Sequence, residues 1–154
     1  MFHVWQPAAL SGAQAVNEPG TWNWSDLHTI DLAGATAFYG AVFGWEASHI
    51  APGVDDFAMF RLPGYGNFLA RSDPDLRARQ TEGGAPEGFA DAVAWLVRLT
   101  DDEPSADGAP HWSVTFAVDD ADAAAERVVE LGGLLQPAGG SRPVAGRREC
   151  QPRR

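Results

Sequence analysis

Two stretches of the chain carry the same succession of apolar and polar positions. In residues 22–30, Trp22, Trp24, Asp26, His28 and Ile30 fall on one face of an extended strand, and Ser25, Leu27 and Thr29 fall on the other. Asp31 then stands where a helix N-cap belongs, able to accept from the free amides of a first turn. Ala35, Phe38, Tyr39, Val42 and Phe43 follow at helical spacing, and Gly44 is placed to end that helix. Three short strand candidates come next, over 45–50, 57–62 and 65–70, punctuated by Gly53, Pro63-Gly64 and Gly66. In the second stretch, Trp112, Val114, Phe116 and Val118 alternate along one face. Asp119-Asp120 offers a cap, and Ala124, Ala125, Val128, Val129 and Leu131 repeat at helical spacing. Gly132-Gly133 stops the helix, and Leu134-Leu135 opens a strand. The intervals Asp31 to Gly44 and Asp120 to Gly133 are equal. Strand, capped helix, glycine stop and strand thus form an internal repeat, of the kind whose copies pack together to bury a shared core.

The intervening sequence separates these units. Residues 1–7 read as a short strand ended by Pro7, and 8–21 as an Ala, Gly, Ser, Asn and Pro rich linker. Residues 71–87 are polar and turn-rich. Residues 88–99, with Phe89, Val93, Ala94, Trp95 and Val97, form an apolar connector whose pattern fits helix or strand equally. An acidic loop over 100–110 precedes the second repeat. Beyond Pro137 the chain is rich in Gly, Pro and Arg and leaves no room for two more good strands. The expected division is a leading strand and linker (1–20), a first βαβββ module (21–71), a connector (72–110), a partial second module (111–137) and a disordered Arg-rich tail (138–154).

Composition narrows the function. Hydrophobic residues are 45% of 154, enough for a packed core. No apolar run has the length of a membrane span and no basic-then-apolar leader opens the chain, so a soluble, cytoplasmic protein is expected, with no membrane partner. The lone Cys150 has no partner for an internal disulfide and reads as an inert thiol. A net charge of −10 argues against nucleic acid. All the cations are arginine, and Arg142, Arg147, Arg148, Arg153 and Arg154 crowd the end, where a solvated tail is the simpler reading than an anion-binding one. There is no phosphate-binding loop with lysine, no Gly-x-Ser-x-Gly elbow and no paired-cysteine zinc site.

Asp26 and His28 are the candidate catalytic residues. They share one strand face two residues apart, where they can act as an acid–base pair on a substrate or contribute to a metal site. The plainer alternative is a rim carboxylate and a satisfied strand-end histidine. His49 and His111 lie near turns and read as solvent-exposed, and Phe38 and Tyr39 read as helix core. Trp22, Trp24 and Trp45 can line a hydrophobic ligand pocket; sheet packing suits Trp22 and Trp45 at least as well, whereas Trp24 suits the pocket wall.

The run 16–22, then Leu27-His28-Thr29-Ile30-Asp31, then Phe38-Tyr39-Gly40-Ala41-Val42-Phe43-Gly44-Trp45 resembles the opening of a vicinal-oxygen-chelate module, the class of glyoxalases, bleomycin-resistance proteins and extradiol dioxygenases. Residues 111–120 and Glu130-Leu131-Gly132-Gly133 resemble the opening of a second module, and the likeness covers about 16–137. It implies an α+β fold of paired βαβββ modules, here with the second module truncated, whose sheets curl into a shared cup. It also makes residues 2–7 resemble the last strand of a preceding module. The resemblance implies one divalent metal as Lewis acid, held by His, Glu or Gln on the first and last strands. The first-strand ligand positions fall on Trp24 and on Ser113 or Trp112, which are not such ligands, while His3 would sit at the analogous place in the leading strand. The expectation is therefore a cup lined by Trp24, Asp26, His28, Ser113 and Thr115 that binds a small aromatic or amphipathic molecule without the usual metal, the acidic balance favouring a cationic one. The alternatives are a metal-dependent lyase or dioxygenase with displaced ligands (Asp26, His28), and a fragment with no independent activity. A homodimer that completes the cup fits any of these.

Overall fold

The computed structural model describes residues 2–6, 12–13, 15–51, 53–99, 109–136 and 149–151. The chain divides into two compact units, residues 1–6 with 24–114, and residues 7–23 with 115–154. The expected α+β class holds. Strand β1 (Trp22–Thr29) leads into α1 (Leu32–Phe43), β2 (Glu46–His49), β3 (Phe57–Arg61), the helices α2 (Tyr65–Leu69) and α3 (Leu76–Glu82), and β4 (Ala92–Arg98). Next come β5 (His111–Phe116), α4 (Ala121–Glu130), β6 (Leu134–Gln136) and β7 (Glu149–Gln151). Five strands form one sheet in the order β2-β3-β4-β1-β5, with β1 parallel to β4 and β3 antiparallel to both β2 and β4.

The start of α1 follows the sequence closely. Asp31 Oδ1 accepts from Gly34 N at 2.8 Å, satisfying an amide that the first turn leaves free. The Asp31 carboxylate lies close over Gly34, where an added Cβ would come 2.1 Å from Oδ2 and make the capping side chain turn. Gly44 ends the helix at φ 71°, with its amide on Gly40 O at 2.9 Å. On the face of the sheet that α1 covers, Leu27, Ala58, Phe60, Ala94 and Leu96 pack with Tyr39 into the core. Phe60 and Leu96 are almost wholly buried, each worth about 1.5–3 kcal/mol in removed apolar surface. The opposite face of the same strands carries Asp26 and His28 on β1, paired in register with Trp95 and Val97 of β4.

Several local expectations are corrected. Residues 65–70 form the helix α2 and not a strand. Gly64 turns the chain at φ 86°, and the Asp91 carboxylate takes the Gly66 amide at 2.6 Å, out of reach of any ladder. The fourth strand beside β1 comes from the connector instead, as β4 after a short 3-10 turn at Phe89–Asp91. The run of module strands therefore closes at residue 98, beyond the expected boundary at 71. Residues 2–6 are not a strand, and Phe2 is held by ring contacts to Phe38, Tyr39 and Phe43 at 5.6–6.2 Å. Phe38, expected in the core, is half exposed.

In the second unit, Asp120 Oδ1 caps α4 by accepting from Asp122 N and Ala123 N at 2.9 and 3.0 Å. Two backbone bonds tie the turn before β1 to the end of β5: Gly20 N to Ala117 O, 2.8 Å, and Ala117 N to Thr21 O, 2.9 Å. Ala125 is the buried residue of α4, while Val129, Leu131, Leu134 and Leu135 are exposed. Strand β7 pairs antiparallel with β6, so part of the expected tail is ordered backbone. The arginines expected to form a basic tail lie outside the described residues.

Candidate functional site

The two faces of β1 present different chemistry. On the face away from α1, the structure gathers Asp26, His28 and Ser113. The Ser113 Oγ donates to Asp26 Oδ2 at 3.3 Å and lies 3.3 Å from His28 Nε2. Asp26 is 0% exposed and His28 8%. The His28 ring stacks on His111 with centroids 4.8 Å apart and planes 6° from parallel, so His111 is a partly buried neighbour of this cluster and not the solvent-facing residue expected. Trp24, on the same face, stacks on Phe89 (5.8 Å, 15°) and leans on Trp95 (5.7 Å). Trp95 in turn meets Phe57 at 4.9 Å. Aromatic side chains thus pack over this part of the sheet. Thr115 lies two residues further along β5, in the second unit.

These groups do not fit a divalent ion. Trp24 offers an indole committed to ring packing, and Ser113 is engaged by both of its neighbours. A metal lies in the plane of each imidazole that ligates it, and parallel stacked rings such as His28 and His111 share no plane. Among the described residues, no group of three or more His, Cys, Asp or Glu converges to hold a metal. The serine hydroxyl bridges a buried carboxylate and a buried imidazole and so gives each a polar partner within the cluster.

The open space lies on the other face, the one under α1. A cavity of about 510 Å³ is walled by Tyr39, Phe43, Trp45, Trp112, Ser25 and the leading segment Phe2–Trp5, with Val93 and Ala94 also lining it. Its size is that of a small-molecule site. Tyr39 stacks on Trp45 (5.6 Å, 16°), and Trp112 meets Tyr39 edge-on (5.5 Å, 89°). Trp112 Nε1 donates to Tyr39 Oη at 2.9 Å, fixing both rings. Among the described residues, the side chains that line this space include no carboxylate. Of the tryptophans read as able to line a pocket, Trp45 walls this cavity, while Trp24 stacks on Phe89 and leans on Trp95. Sequence reasoning missed Trp112, Tyr39 and Trp5 as lining. The usable signal was the alternation in β5, which puts Trp112 and Ser113 on opposite faces.

A βαβ unit continued by antiparallel strands, with its capped helix repeated later in the chain, is the architecture of the glyoxalase class. Residues 24–144 match the glyoxalase-like domain family, and the chain belongs to that family. It is 31% identical over 141 residues to the anthracycline biosynthesis protein DnrV of Streptomyces peucetius and 30% identical to DauV of Streptomyces sp. (strain C5), a protein of the same description. It is 33% identical over 138 residues to CFP32 of Mycobacterium tuberculosis (strain CDC 1551 / Oshkosh), whose name calls it a glyoxylase provisionally. Each match takes in 88% of this chain but only 38–41% of the relative, so the chain spans well under half the length of these proteins. Among the described residues, no helix is long and apolar enough to cross a membrane.

Proposed function

We propose that this glyoxalase-like chain binds a flat aromatic small molecule, without a divalent metal, in the cavity beneath α1. The observation that carries this reading is the cavity itself, about 510 Å³ with Tyr39, Phe43, Trp45 and Trp112 as walls. Aromatic walls offer large contact area at little entropic cost, and stacked or edge-on rings add to the burial of apolar surface. That DnrV and DauV are named for anthracycline biosynthesis supports an aromatic ligand. The expected cup ligand thus moves to the other face of the sheet.

The runner-up is metal-dependent lyase or dioxygenase chemistry through Asp26 and His28, or acid–base chemistry by the pair, and the serine bridge between them is what favours it. Burial speaks against it. A carboxylate with no exposed surface and a histidine with almost none offer little to a substrate.

Substitutions on the two faces separate these readings. Trp5 is 62% exposed, so Trp5→Ala leaves folding intact while removing one cavity wall. Titration with naphthalene, followed by tryptophan fluorescence, is expected to show several-fold weaker binding in Trp5→Ala and unchanged binding in Trp24→Phe. The reverse order would return the ligand to the Asp26 face.

A further inference from the structure

Resting on the binding reading above, we propose that the ligand of this cavity carries a carbonyl group on its aromatic frame, and that Tyr39 donates the hydrogen bond that selects it. Tyr39 is 7% exposed and lines the cavity. Its hydroxyl has two acceptor lone pairs and one proton. The indole N–H of Trp112 can only donate, so the 2.9 Å bond between them occupies an oxygen lone pair and leaves the phenolic proton unused. That proton belongs to a hydroxyl set among Phe43, Trp45 and Trp112, where an unmade hydrogen bond is costly.

The hydroxyl is also held in place. Its ring is stacked on Trp45, met edge-on by Trp112 and flanked by Phe43. It stands on α1, whose ends are fixed by the Asp31 cap and the Gly44 turn. Rotation about the C–O bond is the freedom left, and the Trp112 bond restricts it. A donor fixed in this way in a mostly aromatic wall, which His3 and Ser25 complete, calls for an acceptor on the ligand. An aryl carbonyl supplies one in the plane of the rings and brings no proton that would itself need a partner. An aromatic hydrocarbon of the same shape leaves the Tyr39 proton unmet. A site built to hydrogen-bond a polar group discriminates against the analogue that lacks it.

The test uses the whole chain and two probes of nearly equal shape, 2-acetylnaphthalene and 2-isopropenylnaphthalene, which differ by C=O against C=CH2. The unmodified protein is expected to bind the ketone about tenfold tighter. Tyr39→Phe should weaken the ketone several-fold more than the alkene and so bring the two probes to similar affinity. The infrared carbonyl band of the bound ketone, which needs no variant, should shift to lower frequency than in hydrocarbon solvent. Equal affinities in the unmodified protein, an unshifted carbonyl band, or equal weakening of both probes by Tyr39→Phe would overturn the role of Tyr39 and leave aromatic binding standing. Failure of both probes to bind saturably would overturn aromatic binding itself, and this inference with it.

Discussion

The two repeats begin with the same local instructions and end differently. In each, an aspartate caps a helix by accepting from first-turn amides, and a left-handed glycine follows it, Gly44 in the first and Gly132 in the second. The helix α1 then finds a sheet whose inner residues, Leu27, Phe60, Ala94 and Leu96, bury against Tyr39. The helix α4 has within its own unit the three-residue strands β6 and β7, and Val129, Leu131, Leu134 and Leu135 stay exposed. The difference teaches that caps and periodicity specify a helix but not its stability. Burial of an apolar face does that, and burial depends on strands that arrive from elsewhere in the sequence.

The comparison can be broken most sharply by truncating the cores. Phe60→Ala, at a residue with 0% exposure, is expected to cost about 3–5 kcal/mol, whereas Leu131→Ala should stay within about 0.5 kcal/mol. Denaturant unfolding measures both, and similar costs would mean that the second unit is as tightly packed as the first. A smaller effect is expected at the caps. Asp31→Ala and Asp120→Ala should each cost about 1 kcal/mol, and hydrogen exchange should show the loss in α1 for one variant and in α4 for the other. Spread of the Asp120→Ala effect into α1 would show that the two repeats unfold as one.

The smallest effect lies in the helical excursion that only the first repeat carries. Arg79 Nη1 donates to Asp73 Oδ1 at 2.9 Å at the surface beside α3, and this hydrogen bond holds the Asp73 carboxyl below its ordinary value of 3.8. A carboxyl lowered by folding stabilises the native state above its unfolded value and loses that contribution as pH falls through the folded one. An NMR titration should place the Asp73 midpoint below 3.8 and return it toward 3.8 in Arg79→Gln. No movement in that variant would remove the pair from the account.

How much of this the sequence disclosed depends on the range of the interaction. The alternation of β1 and the cap and stop of α1 are short-range signals, and both were legible. The continuous apolar run over 92–97 was ambiguous because a strand covered on both faces loses its alternation. The helix α2 was misread because its cause is a carboxylate twenty-five residues away, Asp91, taking the Gly66 amide. A Cβ on Gly66 would meet Ala90 at 2.7 Å, a close approach that no local pattern reveals. Alternation places Asp26 and His28 on one face of their strand and separates Ser113 from Trp112 on the second, but the Ser113 bridge depends on β5 lying beside β1, which no local pattern reveals. The cavity was not legible either. Tyr39 and Trp45 have the periodicity of core residues and do pack as core, and their further use as walls depends on where the leading segment Phe2–Trp5 comes to rest.

The most direct test of the central claim is an equilibrium titration of the purified chain with naphthalene, followed through tryptophan fluorescence, first in excess chelator and then with added nickel or manganese. The account predicts saturable one-to-one binding that is the same in both conditions. Binding that appears only with the divalent ion would contradict it and return the chemistry to Asp26 and His28.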